Sequence, residues 1–205
     1  MDAVGFIELN SIARGIEAAD IVLKSSDVQL ISASAGCPGK YYFLFCGKTA
    51  AVKEALSAGV EIGRENVVDS TVISNVHPDV IAAMARTTKP PIRDAVGVME
   101  FFSVTAAIYA ADAAAKAADI TLIEIRCGLG IGGKAYVTLG GDVAAVKAAV
   151  SAGITPENAM GMLVGTSVIP NPDKKLFAFS PLLLGWYSHR TIGLSVSPLV
   201  RYSHR

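Results

Sequence analysis

A long internal repeat constrains this chain more than any other feature. The stretch AVGFIELNSIARGIEAADIVLKSSDVQLI, from Ala3, aligns without gaps to AVGVMEFFSVTAAIYAADAAAKAADITLI, from Ala95, over about 29 residues with close to half identical. Gly5 pairs with Gly97, Glu8 with Glu100, Ser11 with Ser103, Asp20 with Asp112 and Lys24 with Lys116. After a short insertion, GKYYFLFCGKTAAVKEALSAG from Gly39 faces GKAYVTLGGDVAAVKAAVSAG from Gly133, and VVDSTVISN (67–75) faces LVGTSVIPN (163–171). A period of about 92 to 96 residues is too long for a solenoid unit and suits a duplicated small domain. The stretch ARTTKPPIRD, with two prolines and mixed charge, separates the copies. The expected organisation is a first domain at 1–86, a linker at 87–94, a second domain at 95–175 and a tail at 176–205.

Each copy reads alike. Residues 3–9 form a short apolar run containing Gly5, hence a strand, and Ser11 is placed to cap the helix that follows. Ile12, Ile16, Ala19 and Leu23 recur at helical spacing, with Lys24 in the last turn. Residues 28–34 predict a second strand. A Cys-Pro-Gly turn at Cys37, Pro38 and Gly39 leads to an aromatic strand at 41–46, a helix carrying Ala50, Ala51, Leu56 and Ala58, and a strand at 67–73. The order β-α-β-β-α-β is the split βαβ of ferredoxin-like domains, an α/β (α+β) class. Such a sheet buries one face under its helices, and the other face is expected to meet solvent or another subunit. His77, before Pro78, is expected to open a short helix.

Composition removes several function classes. Acidic and basic residues number 18 each, so the formal net charge is zero and the excess of Lys and Arg that neutralises phosphates is missing. No apolar run of about 18 residues indicates a membrane span. The N-terminal MDAVGFIELNS has an acid at position 2 and lacks the basic start and apolar run of a signal peptide, so a cytosolic, reducing setting is expected. Cys37, Cys46 and Cys127 include no C-x-x-C pair, which argues against a cysteine metal site within one chain. Cys46 and Cys127 read as small core residues. Glu8 and Glu100 sit inside apolar strands and read as satisfied structural carboxylates. No nucleophile–base pair or pair of catalytic carboxylates can be assembled, so no enzymatic activity is expected.

The second copy has GLGIGGKAYVTL where the first has AGCPGKYYFLF. Residues 128–134 fit G-x-x-x-x-G-K, the start of a phosphate-binding loop. That motif needs a Ser or Thr next, and position 135 is alanine; it needs a following helix, and AYVTL alternates as a strand. The glycines suit a place where several backbones crowd together instead.

These residues resemble a family. The duplicated AVG-IE block, the ELNSIARGIEAAD helix, CPGK, NVHP and GIGGKAY are similar to bacterial microcompartment shell proteins of the tandem-domain type, with the nearest likeness to the iron–sulfur PduT type of propanediol-utilisation shells. The resemblance runs from about Ala3 to Pro172. It implies a tandem duplication of a ferredoxin-like microcompartment domain, three chains forming a flat pseudo-hexameric trimer, and tiles packing edge to edge with other shell proteins around enzymes. Lys24 and Lys116 match the family's tile-edge lysine, though each could equally be a helix C-terminal cation stabilised by the dipole. The loops at 36–40 and 128–134 match the segments around the central pore, with Gly36, Lys40, Gly130, Ile131, Gly132 and Gly133 lining it.

In the iron–sulfur members, the CPGK cysteine of three subunits binds one [4Fe–4S] cluster on the threefold axis, and Cys37, followed by Pro38 and Gly39, stands at that position. A cluster takes four thiolates as a rule, so one cysteine per chain can contribute only if symmetry collects copies. An enclosed redox enzyme would then be a further partner, with electrons crossing the shell; nucleic acid and membrane are not expected partners. The alternative is a tile with an open metabolite-conducting pore and no cluster. The tail, LFAFSPLLLGWYSHRTIGLSVSPLVRYSHR, carries YSHR twice and has no counterpart in the first copy, so its role is open.

Overall fold

The computed structural model describes residues 2–85, 88, 94–127 and 132–173. The chain divides into two units, 1–172 and 173–205, and of the second only Asp173 is described. The expectations for the tail, and for most of the linker, therefore lie outside the described residues.

The first copy comprises β1 (Ala3–Leu9), α1 (Ile12–Ser25), β2 (Val28–Gly36), β3 (Lys40–Gly47), α2 (Thr49–Gly63), a 3-10 turn (Arg64–Asn66), β4 (Val67–Ser74) and α3 (Pro78–Met84). The second comprises β5 (Ala95–Phe101), α4 (Val104–Ala117), β6 (Thr121–Cys127), β7 (Ala135–Gly141), α5 (Val143–Gly153), α6 (Pro156–Ala159) and β8 (Leu163–Pro170). Each copy forms its own antiparallel sheet, ordered β2-β3-β1-β4 and β6-β7-β5-β8. That is the split βαβ order the sequence predicts. Ser11 and Ser103 cap α1 and α4 by accepting from the backbone N–H groups of Arg14 and Ala106. His77 caps α3, accepting from Asp79 N–H. No helix among the described residues is long and apolar enough to cross a membrane.

The period of two along β1 splits its side chains between two cores. Ala3, Ile7 and Leu9 face α1 and α2, joining Ala18, Ala19, Val22, Val52 and Ala55, with Phe43 and Phe45 from β3. Val4 and Phe6 face the other way, with Tyr42, Leu44, Cys46 and Ile73. The sequence left this second face to solvent or another subunit. It is instead covered within the chain, by α3 and α4, and Phe6 is fully buried there. Helix α4 thus lies between two sheets. Nine of its fourteen residues are buried, against four of fourteen in α1.

Polar contacts register the two copies. Thr105 donates to the Asp69 carboxylate, Thr71 and Tyr109 hydroxyls meet at 3.0 Å, and Tyr42 donates to the Cys127 carbonyl at 2.5 Å. Asp112, 7% exposed, accepts from the His77 N–H at 2.7 Å and pairs with Lys116 at 2.5 Å.

Of the α1 stripe, Ala19 enters the core of its own copy, but Ile12, Ile16 and Leu23 do not face their own sheet. These residues are 42%, 55% and 41% exposed, while Gly15, Ala18, Ala19 and Val22 form the buried face. Gly15 is required because Tyr41 crosses beneath it: a Cβ at position 15 would lie 2.5 Å from the Tyr41 Cβ. The second copy carries the reverse combination at the aligned positions, Ala107 and Ala135, both fully buried. Gly15→Ala should therefore invert the usual helix effect. In place of a gain near ~1 kcal/mol, overpacking should cost about 1–3 kcal/mol in urea unfolding. Adding Tyr41→Ala, which grafts the second copy's solution, should recover part of that loss; strictly additive costs would refute the pairing.

Candidate functional site

The first loop hangs between β2 and β3. Gly36 and Lys40 are register partners that close the hairpin, and Cys37, Pro38 and Gly39 make the turn between them. Gly39 has φ 77°, in the left-handed region that favours glycine. Among the described residues, nothing lies within 4 Å of where a Cβ on Gly39 would stand, so the turn borders open space. Cys37 is exposed.

The second loop reaches the same place. Gly132 and Gly133 have φ 67° and 81°, and Gly133 lies against the first loop, where a Cβ would sit 3.4 Å from the Cys37 carbonyl oxygen. Gly130 and Ile131, expected with them at the opening, fall outside the described residues. After Lys134 the chain enters β7, a strand, so the phosphate-loop motif lacks its helix as the sequence indicates.

The two loops share a base that sequence reading missed in part. Glu8 and Glu100 were expected to be satisfied, but no partner was assigned. Lys40 Nζ meets Glu8 Oε1 at 2.7 Å, and Lys134 Nζ meets Glu100 Oε1 at 3.0 Å. Both members of each pair are present in both repeats, and that was the available signal. Lys40 is thus turned back onto β1. Lys134 also stands 5.9 Å from the centroid of the Phe102 ring.

The other cysteines behave as core groups. Cys46, on β3, is 2% exposed, and burial pushes its thiol pKa up, which disfavours a thiolate ligand. Cys127 ends β6, half-buried, with its carbonyl engaged by Tyr42. Among the described residues, no group of three or more His, Cys, Asp or Glu side chains could hold a metal ion within one chain. The donor set therefore fits a cluster only in a shared form: an exposed thiolate donor on a turn bordering open space, one from each of several chains.

Lys24 and Lys116 both stand in the last turn of their helices, as read. Lys24 pairs with Asp20 at 2.6 Å and remains largely exposed, whereas Lys116 pairs with the buried Asp112. In the folded chain, a thiol reagent at neutral pH should modify Cys37 rapidly and Cys46 only on unfolding. Peptide mapping after partial labelling checks this, and rapid native labelling of Cys46 would contradict its burial.

The BMC domain matches twice, at residues 3–76 and 95–172. The bacterial microcompartment shell protein PduT of Citrobacter freundii is 40% identical over 175 residues, covering 85% of this chain and 95% of that protein. The shell protein EutM of Salmonella typhimurium (strain LT2) is 38% identical over 89 residues, 43% of this chain but 91% of its own length, so one copy here matches nearly a whole relative. A crystal structure of a microcompartments protein from Desulfitobacterium hafniense DCB superposes with TM-score 0.83 at 47% identity, covering 86% of this chain and 98% of that one.

Proposed function

The chain belongs to the bacterial microcompartment shell proteins, a structural family, and on that footing we propose that three copies close into a pseudo-hexameric tile whose central loops share one [4Fe–4S] cluster. The tile reading rests on one observation: the contact that joins the two domains inside the chain is left open at both of its repeat-equivalent halves. On α4, Val104, Ile108 and Asp112 are buried against the first sheet and α3. The aligned residues of α1, Ile12, Ile16 and Asp20, are exposed. Likewise Phe6 and Leu44 are buried on the outer face of the first sheet, while their counterparts Val98 and Thr138 remain half-exposed on the second.

One helix face and one sheet face of matching kind are thus free on opposite halves of the chain. A contact between unlike faces, repeated from chain to chain, closes a ring or runs on as a filament. The short loops at 36–40 and 132–134, already side by side, would meet at the centre of a closed ring. Ile12 and Ile16 are already about half buried, so covering what remains would contribute about 1 kcal/mol each, per contact and three times around the ring.

Cys37 would then be presented three times about the axis, giving three thiolates where a single chain has one. Pro38 stiffens the turn, and Gly39 keeps the space beside it clear for backbone N–H groups to approach sulfide. When bound, the cluster would carry single electrons across the shell. The fourth iron would take water or an exogenous donor. Lys24 and Lys116 would stand at the tile edge, and other shell proteins, with an enclosed redox enzyme, are the proposed partners.

Two experiments test the two halves of this reading. Ile16→Glu should leave chain stability within about 0.5 kcal/mol, as for an exposed position, and yet convert a sedimenting trimer to monomer. Ile108→Glu, at the aligned buried position, should prevent folding. A wild-type monomer at micromolar concentration would defeat the tile. For the cluster, protein reconstituted anaerobically with iron and sulfide should hold about four irons per trimer. Cys37→Ser should lose colour, iron and sulfide together while remaining trimeric, and Cys127→Ser should keep all three. A colourless wild-type trimer would leave an open pore lined by the same loops.

A further inference from the structure

The two loops differ at their tips and agree at their bases. The first tip is Cys-Pro-Gly; the second is longer and glycine-rich. Yet each is followed by a lysine that reaches a glutamate on the central strand, Lys40 to Glu8 and Lys134 to Glu100. The sheet register makes this reach possible in both copies. Leu9 opposes Tyr41 and Glu8 opposes Tyr42, so Lys40, two residues before Tyr42, projects to the same face as Glu8. Phe101 opposes Ala135 and Glu100 opposes Tyr136, which gives Lys134 the same diagonal to Glu100.

A surface ion pair would stabilise little. The first pair is not at the surface: the side chains of Glu8 and Lys40 are 11% and 28% exposed, so each is the other's main source of compensation. The second pair is more open, at 40% and 39%. The more buried clamp therefore belongs to the loop that carries the thiol. Lys40 is also the residue that closes the hairpin with Gly36, so fixing its side chain to β1 fixes the exit of the three-residue turn.

We propose that the Glu8–Lys40 pair is a positioning device that holds Cys37 in a single orientation toward the centre shared by neighbouring chains. The proposal rests on the trimeric tile of the preceding subsection. It does not rest on a cluster being present, since the pair acts on the loop itself. Without the pair, the turn keeps its backbone closure but loses the charge-assisted bond that selects one orientation.

The experiment uses cluster-free trimer and two probes of the same thiol. A monofunctional maleimide reads the exposure of Cys37, and a short bis-maleimide reads how often two Cys37 thiols from different chains face each other; peptide mapping assigns the products. Glu8→Gln should lower the cross-linked yield by about tenfold or more, the population change expected for one lost charge-assisted hydrogen bond. Monofunctional labelling should change by less than about twofold, and sedimentation should still show a trimer. Lys40→Met should behave as Glu8→Gln, and Lys40→Arg should restore cross-linking. If Glu8→Gln fails to assemble, Lys40→Met carries the test. Equal cross-linking in wild type and both pair-breaking variants overturns the positioning role and leaves the tile intact. A trimeric wild type that never cross-links through Cys37 overturns the shared centre, and the role of the pair with it.

Discussion

Helix α4 has no solvent side to speak of, and the rest of the unit depends on that. Its alanine face packs into its own sheet, through Ala107, Ala110, Ala111 and Ala114, while Val104 and Ile108 press on the first copy and Asp112 accepts from the His77 N–H at the start of α3. A helix buried on most of its surface is mostly apolar, its buried Thr105 and Asp112 are hydrogen-bonded to the first copy, and small residues let both sheets come close. The first sheet is in turn buried on both faces, which draws Phe6, Leu44 and Tyr42 into a core that the first copy could not build alone. The two copies therefore form one unit rather than two beads on a string. The same contact defines what is left over, a helix face on one copy and a sheet face on the other.

At the loop end, geometry separates a part that both copies need from a part that only one uses. The base, a lysine tied to a strand glutamate, is common. The tips are free to differ because, among the described residues, Gly39 and Gly132 border open space, and such loops carry little of the core. Cys37 stands on such a tip, which is why a thiol can be placed there at small cost to folding, whereas Cys46 is fixed by the packing around it.

Much of this was legible in the sequence, for reasons that vary by residue. The strands, the Ser11 and Ser103 caps and the His77-Pro78 helix start are local signals, and local chemistry decides them. The doubled chain declared its two domains through the alignment alone. The α1 stripe was harder. Helical spacing says that Ile12, Ile16 and Leu23 share a face, but not which surface that face meets, and here the smaller residues Gly15, Ala18 and Ala19 go inward because Tyr41 and α2 lie close. The Glu8–Lys40 pair was missed because its members are 32 positions apart by their numbers and are joined only by strand register. The second face of the first sheet was left open for a similar reason: its cover comes from α3 and α4, about 75 and about 100 positions after β1.

The unlike tips have a consequence for what a duplicated chain can evolve. Were the proposed tile a ring of six identical single domains, every substitution would be made six times at once, and a thiol at the loop would crowd six sulfurs into one opening. Fusing two copies halves the order of the symmetry. A change in one copy then falls on alternate positions, and odd-numbered ligand sets become reachable that no uniform six-membered ring can offer. The cost is that the two halves are no longer exchangeable, and each must keep its own place in the alternation.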